Sequence, residues 1–277
     1  MRFAIGLPTI DGFADVRVLV ELAQEAEKAG WDAVFLWDIV GSTGTDPSPT
    51  VDTWIAMAAI ATVTERIRFG PTVTPLARRR PAKVARETAT LDRLSGGRMI
   101  LGAGLGAFPQ EEFEALGEDP DPKVRAEKLD EALDIIAGLW SGEPFSHSGK
   151  HFTVRDSAYV PTPVQRPRIP VWIGGYWPHK PPARRAARWD GMFPVGDWPD
   201  AYLAPEDYLE IRRFIASHRT DDAPFDLMAQ GTASGEEPPF TPAVMREYAE
   251  AGVTWWVAQG ETVEKVRETI RRGPPRL

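Results

Sequence analysis

Short apolar runs alternate along the chain with longer segments whose apolar residues recur at helical spacing. The first run, Arg2–Leu7, precedes a helical pattern over Asp15–Ala29 that ends at Gly30, the usual helix stop. The next run, Ala33–Trp37, is apolar at every position. Such a run is typical of a parallel strand that is buried on both faces. The pattern therefore indicates parallel strands that alternate with helices.

The same alternation predicts eight strands. Their bounds are Arg2–Leu7, Ala33–Trp37, Ile67–Thr74, Met99–Gly102, Val171–Ile173, Gly191–Val195, Asp226–Gln230 and Thr254–Val257. A longer stretch between the fourth and fifth strands contains the helical pattern Lys123–Trp140 and a candidate hairpin within residues 142–165. Eight strand–helix units predict the α/β class, with a single (β/α)8 TIM barrel over residues 1–277 and an insertion after the fourth strand. A doubly wound open sheet shares the alternation and is the structural alternative.

Composition and charge exclude several classes of function. The chain contains 32 Lys and Arg against 40 Asp and Glu, a net charge of −8, so no nucleic acid and no membrane is expected as a partner. With no Cys, 4 His and no HExxH pattern, no disulfide frame and no metal site is expected. The apolar run in Met1–Pro8 is too short for a signal peptide, because it ends at Pro8. A cytoplasmic protein is therefore expected.

The predicted carboxyl ends of the strands are rich in glycine and aromatic residues and poor in titratable groups. In a barrel, the chemistry gathers at these ends. This composition suits a flat aromatic cofactor that is held by backbone and stacking. It suits hydrolysis poorly, because hydrolysis needs two placed carboxylates or a histidine.

Two glycine motifs follow predicted strands. Gly102–Gly106 (GAGLG) partly resembles a dinucleotide fingerprint, and a tight turn explains it equally well. Gly174 and Gly175 precede a basic helix that contains Arg184, an arrangement that can bind an anion or form a simple turn.

Few charged or aromatic residues are candidates for the site. Asp38 is the one carboxylate directly at a strand end, where it either binds a polar group of a ligand or caps the following turn. The aromatic residues that either line a pocket or pack beneath the loops are Tyr176, Trp177 and Trp198. The run Arg78–Arg80 either meets an anionic tail or forms a solvated face, and Glu111, Glu112 and Glu114 are expected to form a solvated helix face.

Several motifs between the first strand and about residue 196 occur together in one known family. They are RFAIGLP (2–8), EKAGWD (27–32), TERIRFG (64–70), RRP (79–81), LDRLSGGR (91–98), GAGLG (102–106), LDE (129–131), LW (139–140), PVWIGG (170–175) and DG (190–191). In these motifs the chain resembles the bacterial luciferase-like family of flavin- and deazaflavin-dependent oxidoreductases. The resemblance implies a homodimeric β/α barrel that binds FMN or the deazaflavin coenzyme F420. It also implies hydride transfer between the coenzyme and a small-molecule substrate, with or without oxygen chemistry.

The resemblance implies positions for the coenzyme and the substrate. Near the ring it places Asp38, Thr72, Val73 and Gly104, near the phosphate tail Gly174, Gly175 and Arg184, and at the substrate pocket Trp37 and Trp177. Some members have a non-proline cis peptide in a bulge of the third strand, which corresponds here to Thr72–Val73. F420 is preferred over FMN because the short chain and the glycine pair of the fifth strand resemble that branch.

Two departures from the family pattern limit the chemistry. Ile39 stands where many deazaflavin members have histidine, and Leu105 where some have glutamate. The absence of that histidine and glutamate counts against the oxidation of an alcohol or a sugar phosphate. It leaves open the reduction of an activated alkene, imine or nitro-type acceptor, or oxygen activation. The alternative functions are a non-catalytic flavin-binding protein, which the same losses favour, and a barrel enzyme that acts on a phosphorylated substrate.

Overall fold

A parallel sheet with surrounding helices forms a TIM-barrel-like fold in the computed structural model, which describes residues 1–41, 47–196, 202–232 and 241–277. The strands are β1 (Arg2–Leu7), β2 (Ala33–Leu36), β3 (Arg68–Pro71), β4 (Thr74–Pro75), β5 (Leu101–Gly104), β6 (Phe145–Ser148), β7 (Thr153–Ser157), β8 (Val171–Trp177), β9 (Gly191–Gly196), β10 (Asp226–Thr232) and β11 (Trp255–Gln259). Nine of them form one sheet in the order β3-β2-β1-β11-β10-β9-β8-β5-β4, and β6 pairs with β7 in a separate hairpin. The predicted fold class is confirmed.

The third barrel strand is interrupted, and its two halves join the two edges of the sheet. The lower half, β3, bridges to the start of the fourth strand through Phe69 and Met99. The upper half, β4, pairs with β5 through Thr74 and Ala103. Between the halves lies the Thr72–Val73 peptide, which is cis, as the resemblance implies. The open-sheet alternative is therefore wrong, because contacts of this strand connect both edges.

Helices cover the outside of the barrel. They are α1 (Val16–Ala29), α2 (Thr53–Val63), α3 (Pro81–Leu94), α4 (Pro109–Glu112), α5 (Pro122–Trp140), α6 (Lys180–Ala186), α7 (Pro205–Ala216), α8 (Pro242–Glu250) and α9 (Val263–Arg272). Side-chain caps start several of them: Asp15 accepts from the backbone N–H of Arg17, and Asp52 from that of Ile55, both at 2.8 Å. None of the helices in the described ranges is both long and apolar enough to cross a membrane.

The insertion after the fourth barrel strand is present as predicted. It contains α4, α5 and the β6–β7 hairpin, and it returns to the barrel at β8. The largest shift from the predicted bounds lies directly after it, where β8 extends four residues beyond Ile173. The fourth barrel strand was expected at Met99–Gly102 and is observed two residues later, at Leu101–Gly104.

Large aromatic side chains fill the interior of the barrel. Phe35, Trp172 and Trp255 are fully buried, and their ring centroids lie 5.3 to 5.9 Å apart. Edge-to-face contacts at this separation are favourable for aromatic pairs. Trp172 and Trp255 lie at the start of β8 and β11, so the interior is closed at that end and the cavity opens at the other.

Several residues of the family-like motifs hold the amino-terminal end of the barrel together. Arg98 donates to the backbone carbonyls of Ala61, Thr64 and Ile67, each at 2.9 Å. Asp92 accepts from the backbone N–H of Val164 at 2.7 Å. These buried side chains satisfy backbone groups of the loops. The motifs around residues 64–70 and 91–98 are therefore structural.

Glu27 is another motif side chain that satisfies backbone groups of a loop, and its contacts predict an effect on the free energy of unfolding. Its carboxylate accepts hydrogen bonds from the backbone N–H groups of Glu65, Arg66 and Ile67. Burial raises the pKa of Glu27, but the three N–H groups together lower it by more than burial raises it. The pKa therefore lies below the ordinary value of 4.5. A Glu27→Gln variant is expected to lose about 1–3 kcal/mol of unfolding free energy at neutral pH, measured by urea denaturation.

The pH dependence of that loss follows from the direction of the shift. A carboxylate with a lowered folded pKa stabilises above its unfolded pKa, and this contribution disappears as the pH falls through the folded value. The difference between wild type and Glu27→Gln should therefore shrink below pH 4.5. Glu25→Gln on the same helix is the control, because the Glu25–Arg267 pair is partly exposed and worth less than about 1 kcal/mol. Equal losses in both variants would contradict this role of Glu27.

Candidate functional site

A cavity of about 920 Å³ opens at the carboxyl ends of the barrel strands. Its walls come from the segments after β2, β3 and β5, from the ends of β8 and β9, and from the first turns of α5 and α6. This volume is typical of a site that encloses a cofactor or a small molecule. The position is the one at which β/α barrels hold their ligands.

Six of the nine site residues inferred from the sequence line this cavity: Trp37, Asp38, Thr72, Val73, Gly174 and Gly175. Gly104, Trp177 and Arg184 lie outside its lining. Trp177 is buried, with the Lys180 ammonium 3.5 Å from its ring centroid, while its neighbour Tyr176 lines the cavity. Arg184 is exposed, and Arg185 lines the cavity instead. Trp198 lies outside the described residues.

Val73 occupies the space that two glycines leave open. A Cβ atom added at Gly174 would lie 2.6 Å from Val73 Cγ1, and one added at Gly104 would lie 2.6 Å from Val73 Cγ2. Real Cβ contacts are not this short, so a side chain at either glycine would displace Val73. These glycines of β5 and β8 therefore leave room for the turn between β3 and β4, which forms one wall of the cavity.

A buried group of two acids and two arginines supports the same wall. We call Asp38, Arg78, Arg79 and Glu112 the charge cluster. Arg79 Nη2 donates to Asp38 Oδ1 at 3.0 Å and to Oδ2 at 2.9 Å, and Arg78 Nη2 donates to the Asp38 backbone carbonyl at 2.9 Å. Arg78 Nη1 also binds Glu112. The side chains of Asp38 and Arg78 are only 3% and 5% exposed.

Further donors saturate both carboxylates of the charge cluster. The indole N–H of Trp54 donates to Asp38 Oδ2 at 3.1 Å, and the Thr74 hydroxyl donates to the same oxygen. The backbone N–H of Val40 donates to Glu112 Oε1 at 2.8 Å. The two acids balance the two arginines, so the cluster is neutral as a whole. Asp38 therefore forms an ion pair that connects two strand ends. The sequence alternative, in which Asp38 only caps the following turn, does not include these contacts.

The charge cluster corrects two sequence interpretations. Glu112 is buried, whereas it was expected with Glu111 and Glu114 on a solvated helix face. Arg78 was expected either at an anionic tail or on a solvated face, and it is buried between two carboxylates. Charge runs are solvated in most proteins, and burial becomes favourable only when the partners meet in the fold. No local signal in the sequence indicates that pairing.

The end of the cavity between α5 and α6 is cationic. Lys123, Arg125 and Arg185 line it together with His179. Arg125 Nη1 donates to the carbonyls of Leu105 and Gly106 at 3.1 and 3.2 Å, but its buried Nε has no partner. Burial lowers the pKa of Arg125 from its ordinary value, while Asp121 and Asp119 oppose the shift. The positive charges of Lys123, Arg125 and Arg185 fit an anionic group of a bound molecule.

Other parts of the wall are apolar. The apolar residues of the lining include Ile39, Leu105, Phe193 and Val195. Among the residues that the structure describes, no group of three or more histidines and carboxylates is arranged to hold a metal ion. The arrangement can therefore enclose a planar apolar group and bind an anion at one end.

The barrel and this cavity define a ligand-binding site of the β/α-barrel enzyme type. The model of the luciferase-like monooxygenase family matches residues 3–273, and the chain belongs to that family. This confirms the resemblance inferred from the motifs.

Two relatives are similar over much of the chain. An uncharacterized protein of Mycobacterium tuberculosis is 32% identical over 217 residues, which cover 72% of this chain and 71% of the relative. An F420-dependent glucose-6-phosphate dehydrogenase of Microbacterium testaceum is 33% identical over 193 residues, which cover 69% of this chain and 55% of that enzyme.

Solved structures share the fold at low sequence identity. An F420-dependent secondary alcohol dehydrogenase in complex with an F420–acetone adduct has a TM-score of 0.80 at 18% identity, and the match covers 99% of this chain and 98% of the other. A monooxygenase from Streptomyces bottropensis has a TM-score of 0.73 at 20% identity, with coverage of 98% and 97%. At these identities the likeness establishes the fold alone.

Proposed function

We propose that the protein is an F420- or FMN-dependent oxidoreductase that transfers a hydride between its coenzyme and a small organic molecule, with F420 preferred. The observation that carries this proposal is the polarity of the cavity, which is apolar along one wall and cationic at the end between α5 and α6. Both coenzymes combine a planar ring system with an anionic tail, and this distribution suits them. The preference for F420 is supported by the F420-dependent relative and by the full-length match to an F420-dependent barrel.

The residues present fit such a coenzyme. Thr72 and Val73 would support the ring, with Gly104 and Gly174 leaving the space that Val73 needs. Gly175, Arg125 and Arg185 would face the tail. The bound coenzyme would supply or accept the hydride. The protein would orient the ring and exclude water, and Asp38, whose carboxylate is held by two arginines, would anchor the wall beside the ring.

A parallel titration of the coenzyme-free protein with F420 and with FMN, followed by fluorescence, tests the proposal. We expect tight binding of F420 and weaker binding of FMN. Tight binding of FMN alone would overturn the preference and make an oxygen-dependent reaction the first to assay. Failure of both coenzymes to bind would overturn the proposed function.

Arg125 gives a sharper prediction about the tail. An Arg125→Met variant should bind F420 roughly tenfold to a hundredfold more weakly, since a hydrogen bond to a charged group is worth about 1.5–3 kcal/mol. Arg184→Met is the matched control, because the exposed Arg184 lies outside the cavity lining, and it should bind F420 as the wild type does. Thermal unfolding of both variants separates lost binding from lost folding. A loss of affinity in Arg184→Met would restore Arg184 as a tail residue.

We also propose that the protein is a homodimer that uses the outer face of α2. This helix contains no charged residue, and Ile55 on its outer face is 63% exposed. A helix that is apolar all round is usually buried on both faces.

Sedimentation should give twice the mass of the chain, and Ile55→Lys should give the monomer. Val160→Lys, which changes an exposed residue in the insertion, should leave the mass unchanged.

A cytoplasmic location is part of the proposal as well. The chain has no Cys, so it contains none of the disulfides that are typical of proteins from oxidising compartments. Cell fractionation with an antibody against the protein would test the location, and recovery in a secreted or membrane fraction would contradict it.

A further inference from the structure

Two exposed aromatic side chains stand at the open side of the cavity. Phe108 is 59% exposed and Tyr176 is 46% exposed, and both line the cavity. Phe108 follows β5, and Tyr176 lies on β8, which pairs with β5 in the barrel. We call these two residues the aromatic rim. Large apolar side chains left in contact with water at the mouth of a cavity indicate a binding surface for another apolar group.

The backbone holds Phe108 in an unusual conformation. Its φ and ψ angles are 50° and 61°, in the left-handed region that bulky residues rarely adopt. Such conformations persist where the surroundings fix them, and they concentrate at ligand sites. The N–H of Glu112 donates to the Phe108 carbonyl at 2.8 Å. Glu112 is in turn bound by Arg78 and Val40.

This attachment fixes an otherwise exposed segment. Within residues 105–121, Glu112 and Phe113 are the two buried residues. Phe113 lies under the Arg125 guanidinium, 4.8 Å from the ring centroid. The segment that presents Phe108 is therefore held by the Arg78–Glu112 ion pair, by the packed ring of Phe113 and by the hydrogen bonds of Arg125 to its first two carbonyls. A ring that is fixed before binding loses less conformational entropy when a ligand stacks on it.

The charges around the cavity indicate an uncharged ligand at the aromatic rim. The two carboxylates in the lining, Asp38 and Glu112, are both paired with arginines of the charge cluster. The cations that remain lie at the α5–α6 end, which the proposed coenzyme tail would use. The rest of the lining includes the apolar residues Ile39 and Leu105. A charged substrate would find no complementary charge there, and its desolvation would oppose binding.

From these observations we propose that the aromatic rim receives an uncharged, planar ring compound, of the quinone or nitroarene type, as the substrate of this site. The inference rests on the proposed function, because it assigns the α5–α6 end to the coenzyme. In this arrangement Phe108 and Tyr176 would contact the ring of the substrate through their faces or edges, and the Tyr176 hydroxyl would donate to a carbonyl or nitro oxygen.

Menadione, an uncharged naphthoquinone, is the probe for this inference. The chain contains no cysteine that a quinone could alkylate. Its binding to the full-length protein is measured by quenching of tryptophan fluorescence, with and without saturating oxidised F420. We expect binding in both conditions. Phe108→Ala and Tyr176→Ala should each raise the Kd for menadione roughly 3- to 10-fold, the range expected for loss of one aromatic contact. Tyr176→Phe, which keeps the ring, should lie between wild type and Tyr176→Ala.

The control variants test whether menadione binding depends on the aromatic rim itself. Leu116→Ala truncates another exposed apolar residue of the same segment outside the cavity lining, and it should bind menadione as the wild type does. All variants should keep the F420 affinity of the wild type. Unchanged menadione binding in Phe108→Ala, complete displacement of menadione by F420, or equally tight binding of the aliphatic 2-undecanone would each overturn the inference. If menadione binds but neither F420 nor FMN does, the proposed function fails while the aromatic rim is supported.

Discussion

Replacing Asp38 by asparagine is expected to lower the free energy of unfolding by about 3–5 kcal/mol, the usual result of removing one partner from a buried ion pair. The variant leaves Arg78 and Arg79 with Glu112 as the remaining carboxylate of the charge cluster. Arg78 keeps its pair with Glu112, so the uncompensated charge is that of Arg79, whose side chain is only 21% exposed and is incompletely solvated by bulk water. Urea denaturation and thermal unfolding would measure the loss.

A second substitution distinguishes charge balance from a simple loss of hydrogen bonds. In the double variant Asp38→Asn, Arg79→Met the pair Arg78–Glu112 remains and the cluster is neutral again. Arg79 is the more exposed of the two arginines, and its guanidinium stacks on Trp54 at 5.1 Å, where methionine can pack in its place. The double variant is therefore expected to be more stable than Asp38→Asn alone. If it is equally unstable, the balance of charge is not what Asp38 provides.

The charge cluster also shows why the site could be predicted only in part from the sequence. The run of apolar residues that ends at Trp37 locates Asp38 at a strand end, because strand ends can be read from local patterns. The partners of Asp38 follow the next barrel strand, some 40 residues along the chain, and Glu112 lies in the insertion. Their contact depends on how the strands pair, which local patterns do not encode. A run of three arginines therefore resembles a solvated face until the fold is known.

The basic helix after β8 illustrates a second limit. The sequence locates the helix and its arginines, but adjacent residues on a helix point about 100° apart. An uncertainty of one residue in the start of α6 therefore decides whether Arg184 or Arg185 faces the cavity, and helix bounds are not known from sequence to that precision. In the structure Arg185 faces the cavity, and its Nη2 also binds Asp130 at 2.9 Å. The turn at Thr72–Val73 was located correctly because a motif, not a periodicity, identified it.

Replacing Gly174 by alanine is expected to weaken coenzyme binding by roughly tenfold to a hundredfold while the barrel still folds. The new Cβ would lie 2.6 Å from Val73 Cγ1, so Val73 must move. Overpacking of this kind costs about 1–3 kcal/mol, and we expect it to be expressed at the cavity wall because Val73 lines the cavity. Fluorescence titration with F420, alongside circular dichroism of the folded protein, would measure the two effects separately.

The second variant in this test is Gly174→Ala, Val73→Ala, which removes both methyl groups of the valine side chain that the new Cβ approaches. If Gly174 acts by leaving room for Val73, the double variant should recover much of the affinity that Gly174→Ala loses. If Gly174 acts by bringing its backbone close to the phosphate tail, as the sequence motif suggested, the double variant should bind as weakly as Gly174→Ala. Gly104→Ala would test the same role of Val73 from the other side, because its Cβ approaches the second methyl group at the same 2.6 Å, and Val73→Ala should rescue it too.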